Sequence, residues 1–324
     1  MIRTAEFVTP KHPDKLCDRI SDLILDLYLT EDPNSRCAIE TCGGHGKVFI
    51  TGEVTSNADV CDNDIKTIVY NVAGIEDVTI HLVKQSLEIA QGVDTGGAGD
   101  QGIMIGYACS ENEEYLPQEY YLARKLCKKI WNVYPFDGKT QVTLIDDTKA
   151  NTKVRVVASF QNSRSNTVRH LINSFFSDYD YEIESVHVNP AGEWGLGGFD
   201  ADAGVTGRKL AVDNYGPRIP LGGGAFSGKD ATKVDRSAAY MARRIAVQIL
   251  KERNAKEVKV ELAYAIGYDE PLHASATIDG KQMRIFNGAY NLTPKGIIDT
   301  LNLKNPIFSQ TSEWGHMGNN FPWG

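Results

Sequence analysis

Nowhere in the 324 residues does an apolar run approach the roughly 18 positions that a membrane-spanning helix needs. The segment Met1 to His12 likewise lacks an apolar core flanked by basic residues, so no export signal is expected. Basic charge is scarce. Thirty-four Lys and Arg stand against 42 Asp and Glu, which gives a net charge of −8 and a pI near 5.4. The summed field repels polyanions, which argues against a nucleic-acid binder and requires any anionic ligand to be held by a local basic cluster. The six cysteines (Cys17, Cys37, Cys42, Cys61, Cys109, Cys127) form no C-x-x-C pair and no zinc-type spacing with the seven histidines. Reduced, mostly buried thiols in a soluble, cytoplasmic protein are expected. Also missing are low-complexity tracts, a Pro-rich linker, a G-x-S-x-G elbow and a readable Ser-His-Asp pattern, so covalent catalysis has no candidate nucleophile.

What is present is globular composition, 42% hydrophobic and 23% charged, arranged in a recurring plan. Strand-like runs at Arg36 to Thr41 and Lys47 to Thr55 surround the turn 43–46. A helical stretch near Asp62 to Val72 and a strand at Val78 to Val83 follow. About one hundred residues later, Thr140 to Ile145 and Lys153 to Phe160 repeat the hairpin, with a helix near Asn166 to Phe176 and a strand near Glu184 to Val188. The last third holds strands near Lys209 to Val212, Val258 to Ala265 and Ser275 to Ile278, and helices near Asp235 to Lys251 and Lys295 to Leu301. Three α+β units fit this order, and so would a doubly wound sheet. An earlier helix, Lys15 to Leu29, puts Leu16, Ile20, Leu23, Ile24 and Leu27 on one stripe, with Asp18, Asp22 and Asp26 mostly off it. It reads as an amphipathic surface helix.

Two glycine motifs invite the wrong conclusion. Gly97-Ala98-Gly99-Asp100-Gln101-Gly102 fits the dinucleotide fingerprint, but the residues before it look like a loop and Ile103 to Tyr107 looks like a strand, the reverse of what that fingerprint requires. Gly223 to Asp230 nearly matches a P-loop, yet Asp230 stands where the Mg²⁺-holding hydroxyl belongs and no buried strand precedes it. A Gly-rich loop ending in Lys229 still offers N–H groups and a cation to a polyphosphate. Arg208, Lys209, Lys229 and Lys233 crowd one stretch of an acidic chain, together with Asp202 and Asp235. His12-Pro13-Asp14-Lys15 opens the first helix, where Asp14 either caps it or joins His12 in holding a phosphate with its metal. If residues 43–46 form a four-residue loop, Cys42 pairs with Lys47 and Glu40 shares a face with Glu53. Those two acids suit a cation or an amine, or simply an exposed polar face.

The blocks His12 to Lys15, Gly97 to Gly102, Gly204-Val205-Thr206-Gly207-Arg208-Lys209 and Gly222 to Asp230 followed by Lys233 to Tyr240 resemble those of the S-adenosylmethionine synthetase (methionine adenosyltransferase) family. The resemblance runs from Glu6 to Phe321-Pro322-Trp323. It implies three similar α/β-sandwich units related by pseudo-threefold symmetry, here 1–92, 93–195 and 196–324. It also implies a homodimer with active sites between subunits, sometimes paired into a tetramer. The implied reaction joins ATP and L-methionine into S-adenosylmethionine and then cleaves tripolyphosphate to pyrophosphate and phosphate.

Position by position, the resemblance puts His12 at the ATP polyphosphate and makes Asp14 and Asp235 ligands of Mg²⁺ and Glu40 a ligand of K⁺. Lys139, Arg208, Lys209 and Lys229 become the cations on the phosphates. Asp137, Glu193, Trp194 and Ala225 fall on the nucleotide, with Trp194 where a Phe is usual. Glu53, Gln85, Asp100, Asp202 and Lys233 fall on methionine, Asp202 also reaching the adenosine. Against the family pattern, Lys11 replaces a Gly, Glu193 replaces a commonly basic residue, the stretch between Gln85 and Gly97 is short and the chain stops at Gly324, so a reduced variant is expected. The residues by themselves also leave open a P-loop-like ATPase or kinase, or an inactive nucleotide-binding subunit.

Overall fold

The structure is a computed structural model that describes residues 1–85, 96–146, 152–286 and 288–324. Among these residues the chain runs β1 (Ile2–Val8), α1 (Pro13–Glu31), β2 (Arg36–Gly44), β3 (Lys47–Thr55), α2 (Asp62–Ala73), β4 (Asp77–Val83), β5 (Gly102–Cys109), α3 (Gln118–Trp131), β6 (Gly138–Ile145), β7 (Lys153–Phe160), α4 (Ser165–Phe176) and β8 (Glu182–Val188). Then come β9 (Gly204–Val205), α5 (Leu210–Asp213), α6 (Val234–Arg253), β10 (Glu257–Tyr264), β11 (His273–Ile278), β12 (Lys281–Arg284), α7 (Pro294–Leu301) and α8 (Phe308–Thr311). The expected strand at Lys209 to Val212 is instead the single helical turn α5; three consecutive apolar residues, Leu210 to Val212, define no period.

The described strands form three four-stranded sheets, in the orders β1-β6-β7-β8, β12-β11-β10-β5 and β4-β3-β2-β9. Each is a hairpin with one further strand on either side, and a helix pair covers its inner face: α1 and α2, α3 and α4, α6 and α7. In the first two repeats the last strand returns through a helix and lies parallel to its neighbour, β4 on β3 and β8 on β7. In the third, β12 follows β11 directly and pairs antiparallel. This is the α+β, three-unit arrangement expected.

The sequence did not reveal that each sheet borrows its remaining edge strand from elsewhere in the chain. β1 joins β6, β5 joins β10, and β9 joins β2, all antiparallel. The exchange is cyclic, so the three sheets are tied into one body through backbone hydrogen bonds, which side-chain periodicity does not record.

The first hairpin closes through His45 and Gly46, with Gly44 opposite Lys47, Cys42 opposite Phe49 and Glu40 opposite Thr51. The expected four-residue loop is thus shorter by two, and the register moves by two. Because side chains alternate with period 2, Glu40 and Glu53 still share a face. Cys17, Cys37, Cys109 and Cys127 are buried, whereas Cys42 and Cys61 are exposed.

Helix α1 differs most from expectation. Asp14, Lys15, Asp18, Ser21, Asp22 and Asp26 are buried along with its apolar residues. It is enclosed by β2 and α2 on one side and by β9 and α8 on the other, so its polar stripe faces protein instead of water.

Candidate active site

The exchanged strands carry most of the sequence-selected residues. At the end of β1, Val8 pairs with Lys139, and the Thr9 N–H donates to the Gly138 carbonyl at 2.9 Å. His12 then caps α1, accepting the Asp14 N–H on Nδ1 at 3.2 Å. That bond assigns the remaining imidazole proton to Nε2, which is free to donate to an oxygen. Burial, with Lys209 nearby, pushes the His12 imidazole down to about 4, so the ring is neutral near pH 7. Lys139, Asp202 and Asp14 also act on its charge, which identifies one neighbourhood.

Asp14 is the hub of that neighbourhood. It is fully buried and accepts the Val205 N–H at 3.0 Å, an N–H supplied by the exchanged strand β9. Lys209 donates to its Oδ2, and the Arg208 Nε lies 2.9 Å from Oδ1. Burial alone would raise this carboxyl, but the Lys209 and Val205 hydrogen bonds overcome it and hold Asp14 below the usual carboxylate range. Lys139 pairs loosely with Glu6 at 3.4 Å, both half exposed. Asp137, at the start of β6, accepts the Gly198 N–H at 3.0 Å, while burial still raises it. Asp202 is exposed and accepts the Ala203 N–H at 2.7 Å.

A second neighbourhood forms on the outer face of the first hairpin. The glycine loop runs back along β2: Ile39 N–H donates to the Gly228 carbonyl at 3.0 Å, Asp230 N–H donates to the Cys37 carbonyl at 3.1 Å, and Lys229 bridges Ala38. Since Ala38 lies opposite Glu53 and two residues from Glu40, Lys229 shares a face with the two hairpin acids and acts on the charge of Glu40. Solvent reaches Glu40, yet the surrounding protein displaces enough water to raise its carboxyl, with Lys229 opposing. Lys229 donates to Asp235 Oδ2 at 2.6 Å.

Two glycines are required by close approach. At Gly228 (φ +82°) a Cβ would lie 1.9 Å from the Ile39 carbonyl oxygen, and at Gly224 it would lie 2.3 Å from Asp235 Cγ. Ala225 packs on Gly207, just before Arg208. Lys233 is held by Asp230, which also accepts the Cys37 N–H. No strand precedes the loop and α6 begins only at Val234, so the P-loop geometry is absent.

Asp100 is exposed in a turn pinned to the β10–β11 connection by Ala98 N–H to Tyr268 O at 2.7 Å and Gly267 N–H to Ala98 O at 2.8 Å. The turn leads into β5, so the expected strand after that motif is present, whereas the loop expected before it falls on 90–96, of which 90–95 lie outside the described residues. Gln85 is buried, and its Oε1 has no hydrogen-bond partner among the described residues. Most of the short stretch after it, 86–95, lies outside the described residues. Glu193 is exposed and accepts the Ser165 N–H at 2.8 Å, which caps α4. Trp194 is half-buried against Gly197.

Asp14 and Asp235 therefore have separate sets of partners. Among the described residues no three His, Cys, Asp or Glu side chains converge as a metal cluster. Sequence reasoning missed Glu6, Asp18, Asp22, Asp230 and Arg236. The four-residue spacing of Asp14, Asp18, Asp22 and Asp26 was the signal for the α1 aspartates.

Three family models match end to end: S-adenosylmethionine synthetase, N-terminal domain (residues 1–95), central domain (95–194) and C-terminal domain (196–324). The S-adenosylmethionine synthase of Zymomonas mobilis subsp. mobilis is 39% identical over 371 residues, covering 99% of this chain and 95% of that protein. The one from Clostridium tetani is 39% identical over 373 residues with the same coverage. Both alignments are longer than the chain itself, so those proteins carry insertions that this one lacks. A solved structure, "an Unusual S-adenosylmethionine synthetase from Campylobacter jejuni", superposes with a TM-score of 0.87 at 33% identity, covering 99% of this chain and 96% of that one. With the cyclic strand exchange, the cation clusters and matches over nearly every residue all in agreement, the chain belongs to the S-adenosylmethionine synthetase family.

Proposed function

We propose that the protein joins ATP and L-methionine into S-adenosyl-L-methionine and then cleaves the released tripolyphosphate to pyrophosphate and phosphate. The observation that carries this reading is the pair of carboxylate-held cation sets, Lys209 and Arg208 on Asp14 and Lys229 on Asp235, in an otherwise acidic chain. A triphosphate can claim these cations, and each carboxylate so relieved is the hard oxygen ligand that Mg²⁺ takes alongside substrate phosphates. The donor chemistry thus fits Mg²⁺ at Asp14 and Asp235, and Glu40 on the face shared with Glu53 is the position for K⁺. Bound there, such ions supply charge neutralisation of the polyphosphate.

The thioether sulfur of methionine is neutral and nucleophilic at pH 7, so the step needs no general base. The S–C5′ bond forms, the C5′–O bond breaks, and the electron pair leaves on the tripolyphosphate oxygen. His12 Nε2–H, Lys139, Arg208, Lys209 and Lys229 stabilise that charge. Glu53, Asp100, Asp202, Lys233 and Gln85 position methionine, where the acidic members favour the cationic sulfonium; Asp137, Trp194 and Ala225 border the nucleotide, and Glu193 holds the start of α4 beside them.

Since one chain keeps the two cation sets on separate partners, we assign the complete site to two copies meeting across their sheets. The exposed apolar residues Ile103, Ile266, Tyr268, Leu272 and Phe286 support such a face, and further pairing gives a tetramer. No described helix is long and apolar enough to cross a membrane, and a cytoplasmic setting suits these substrates. Mass-spectrometric detection of S-adenosylmethionine from ATP plus methionine tests the reading. Phosphate release that does not depend on methionine would overturn it in favour of a nucleotidase.

A further inference from the structure

Helix α1 carries aspartates at every fourth residue, each accepting backbone N–H groups from a distant segment. Asp14 takes Val205, Asp18 takes Gly207 at 2.8 Å, Asp22 takes Gly228 at 2.8 Å, and Asp26 takes Phe308 and Ser309 at 2.9 and 2.8 Å. Two of these aspartates hold buried cations: Asp18 pairs with Lys15, and Asp22 with Arg236, whose guanidinium also reaches the glycine loop. Arg236 donates to both carboxylate oxygens, at 2.6 and 3.0 Å, and neither side chain is exposed. The same guanidinium donates to the Phe226 carbonyl at 2.9 Å and the Lys229 carbonyl at 3.1 Å, as well as to Tyr240 and Thr311.

We infer that the Asp22–Arg236 pair is a positioning clamp for Lys229, fixing the backbone on both sides of that residue so that its ammonium is aimed before a polyphosphate arrives. The inference rests on the proposed role of Lys229. Desolvating two charges is costly, and a buried ion pair is a poor source of stability compared with apolar residues of the same volume. Apolar side chains would fill the space but could not bind the Phe226 carbonyl, the Gly228 N–H and the Lys229 carbonyl. Those three groups bracket one cation, and Arg236 itself follows Asp235, the partner of Lys229. Holding the loop in place beforehand removes ordering cost from the reacting complex.

A double-mutant cycle separates positioning from general stability. Arg236→Lys keeps the charge opposite Asp22 but loses the planar fork that grips both Asp22 oxygens and thereby sets Nη1 against the two carbonyls. Product formation in this variant should fall about tenfold, by the usual cost of a misplaced group. Combined with Lys229→Ala it should add less than about threefold, because neighbours that act through one group are not additive. Combined with Lys209→Ala, in the other cation set, its full effect should persist. The affinity for inorganic tripolyphosphate, measured by calorimetry on the folded variants, should follow the same pattern. Equal effects in the two backgrounds, or unaltered rates in Arg236→Lys, would overturn the clamp. Should Arg236→Lys fail to fold, Asp22→Asn takes its place in the cycle; if both unfold, the pair is a structural bolt and the inference is wrong. Absence of product from the unmodified protein would instead sink the proposed reaction.

Discussion

The two cation sets are built in opposite ways. Around Asp14 the carboxylate is the buried part, 0% exposed, and the cations Lys209 and Arg208 stand at its edge with 17% and 53% of their side chains exposed. Around Lys229 the ion pair with Asp235 is itself partly exposed, and the fully buried charges lie behind it, in Asp22 and Arg236. Buried ion pairs back both sites, Lys15 with Asp18 and Asp213 lying behind the first. At the first site, however, the buried Asp14 touches the cations itself, whereas at the second Asp22 and Arg236 reach Lys229 through its backbone. In the first, removing the acid disturbs everything together; in the second, the cation can be removed with its support left intact.

The largest effect should therefore come from Asp14→Ala. It strands two cations and the Val205 N–H at once, and product formation is expected to fall about a thousandfold, the upper range for losing a charge-organising group. Rapid-quench measurement of the first turnover checks this; a loss no larger than that of Lys209→Ala would refute the hub. Lys229→Ala should cost about a hundredfold, as for one oxyanion donor, with little change in melting temperature because Asp22 and Arg236 remain paired. A large fall in stability there would mean that Lys229 supports the loop instead of being supported by it.

The contrast also explains which parts could be read from sequence. The glycine loop and the Gly204 to Lys209 block were legible because close backbone approach leaves residue-specific marks. The shared face of Glu40 and Glu53 survived a two-residue error in the turn because alternation depends only on parity. The buried aspartates of α1 were misassigned to solvent, since a hydrophobic stripe counts Asp as outward-facing unless its partners are known. Those partners, Gly207, Gly228 and Phe308, lie nearly two hundred residues away or more. The exchange of β1, β5 and β9 was invisible for a related reason: pairing between strands far apart in the chain carries no local signature, yet it is what brings Lys139 to His12 and Val205 to Asp14.

His12 offers a pH test of the first set. Its imidazole, lowered by burial and by Lys209 to about 4, stays neutral in the folded protein while an unfolded His protonates near 6.5. Below 6.5 the unfolded state binds the extra proton, so the contribution of His12 to stability falls as pH drops toward about 4 and is constant below that. His12→Asn should flatten this part of the stability curve, and the NMR shifts of His12 should not titrate between pH 6 and 8. A His12 titration in that range would remove the neutral Nε2–H donor from the mechanism. Behind the Lys229 set, His316 is wholly buried against Phe226 and Tyr240 and is held neutral by burial and by Arg236, so Lys229→Ala, which leaves that packing intact, should give no matching change.

The smallest effect belongs to Glu193, which sits outside both sets. Its carboxylate already serves the Ser165 N–H at the start of α4, and its charge would repel a nucleotide phosphate. Its neighbour Trp194 has an aromatic face to offer, and base stacking of this kind is worth about 1–3 kcal/mol. Trp194→Ala should therefore raise the KM for ATP about tenfold by the same stacking energy. Glu193→Ala should leave that KM within about twofold and lower the melting temperature slightly through the lost cap. The pair distinguishes a residue that contacts adenine from one that only builds the helix beside it. A KM increase in Glu193→Ala equal to that in Trp194→Ala would place the carboxylate on the nucleotide after all.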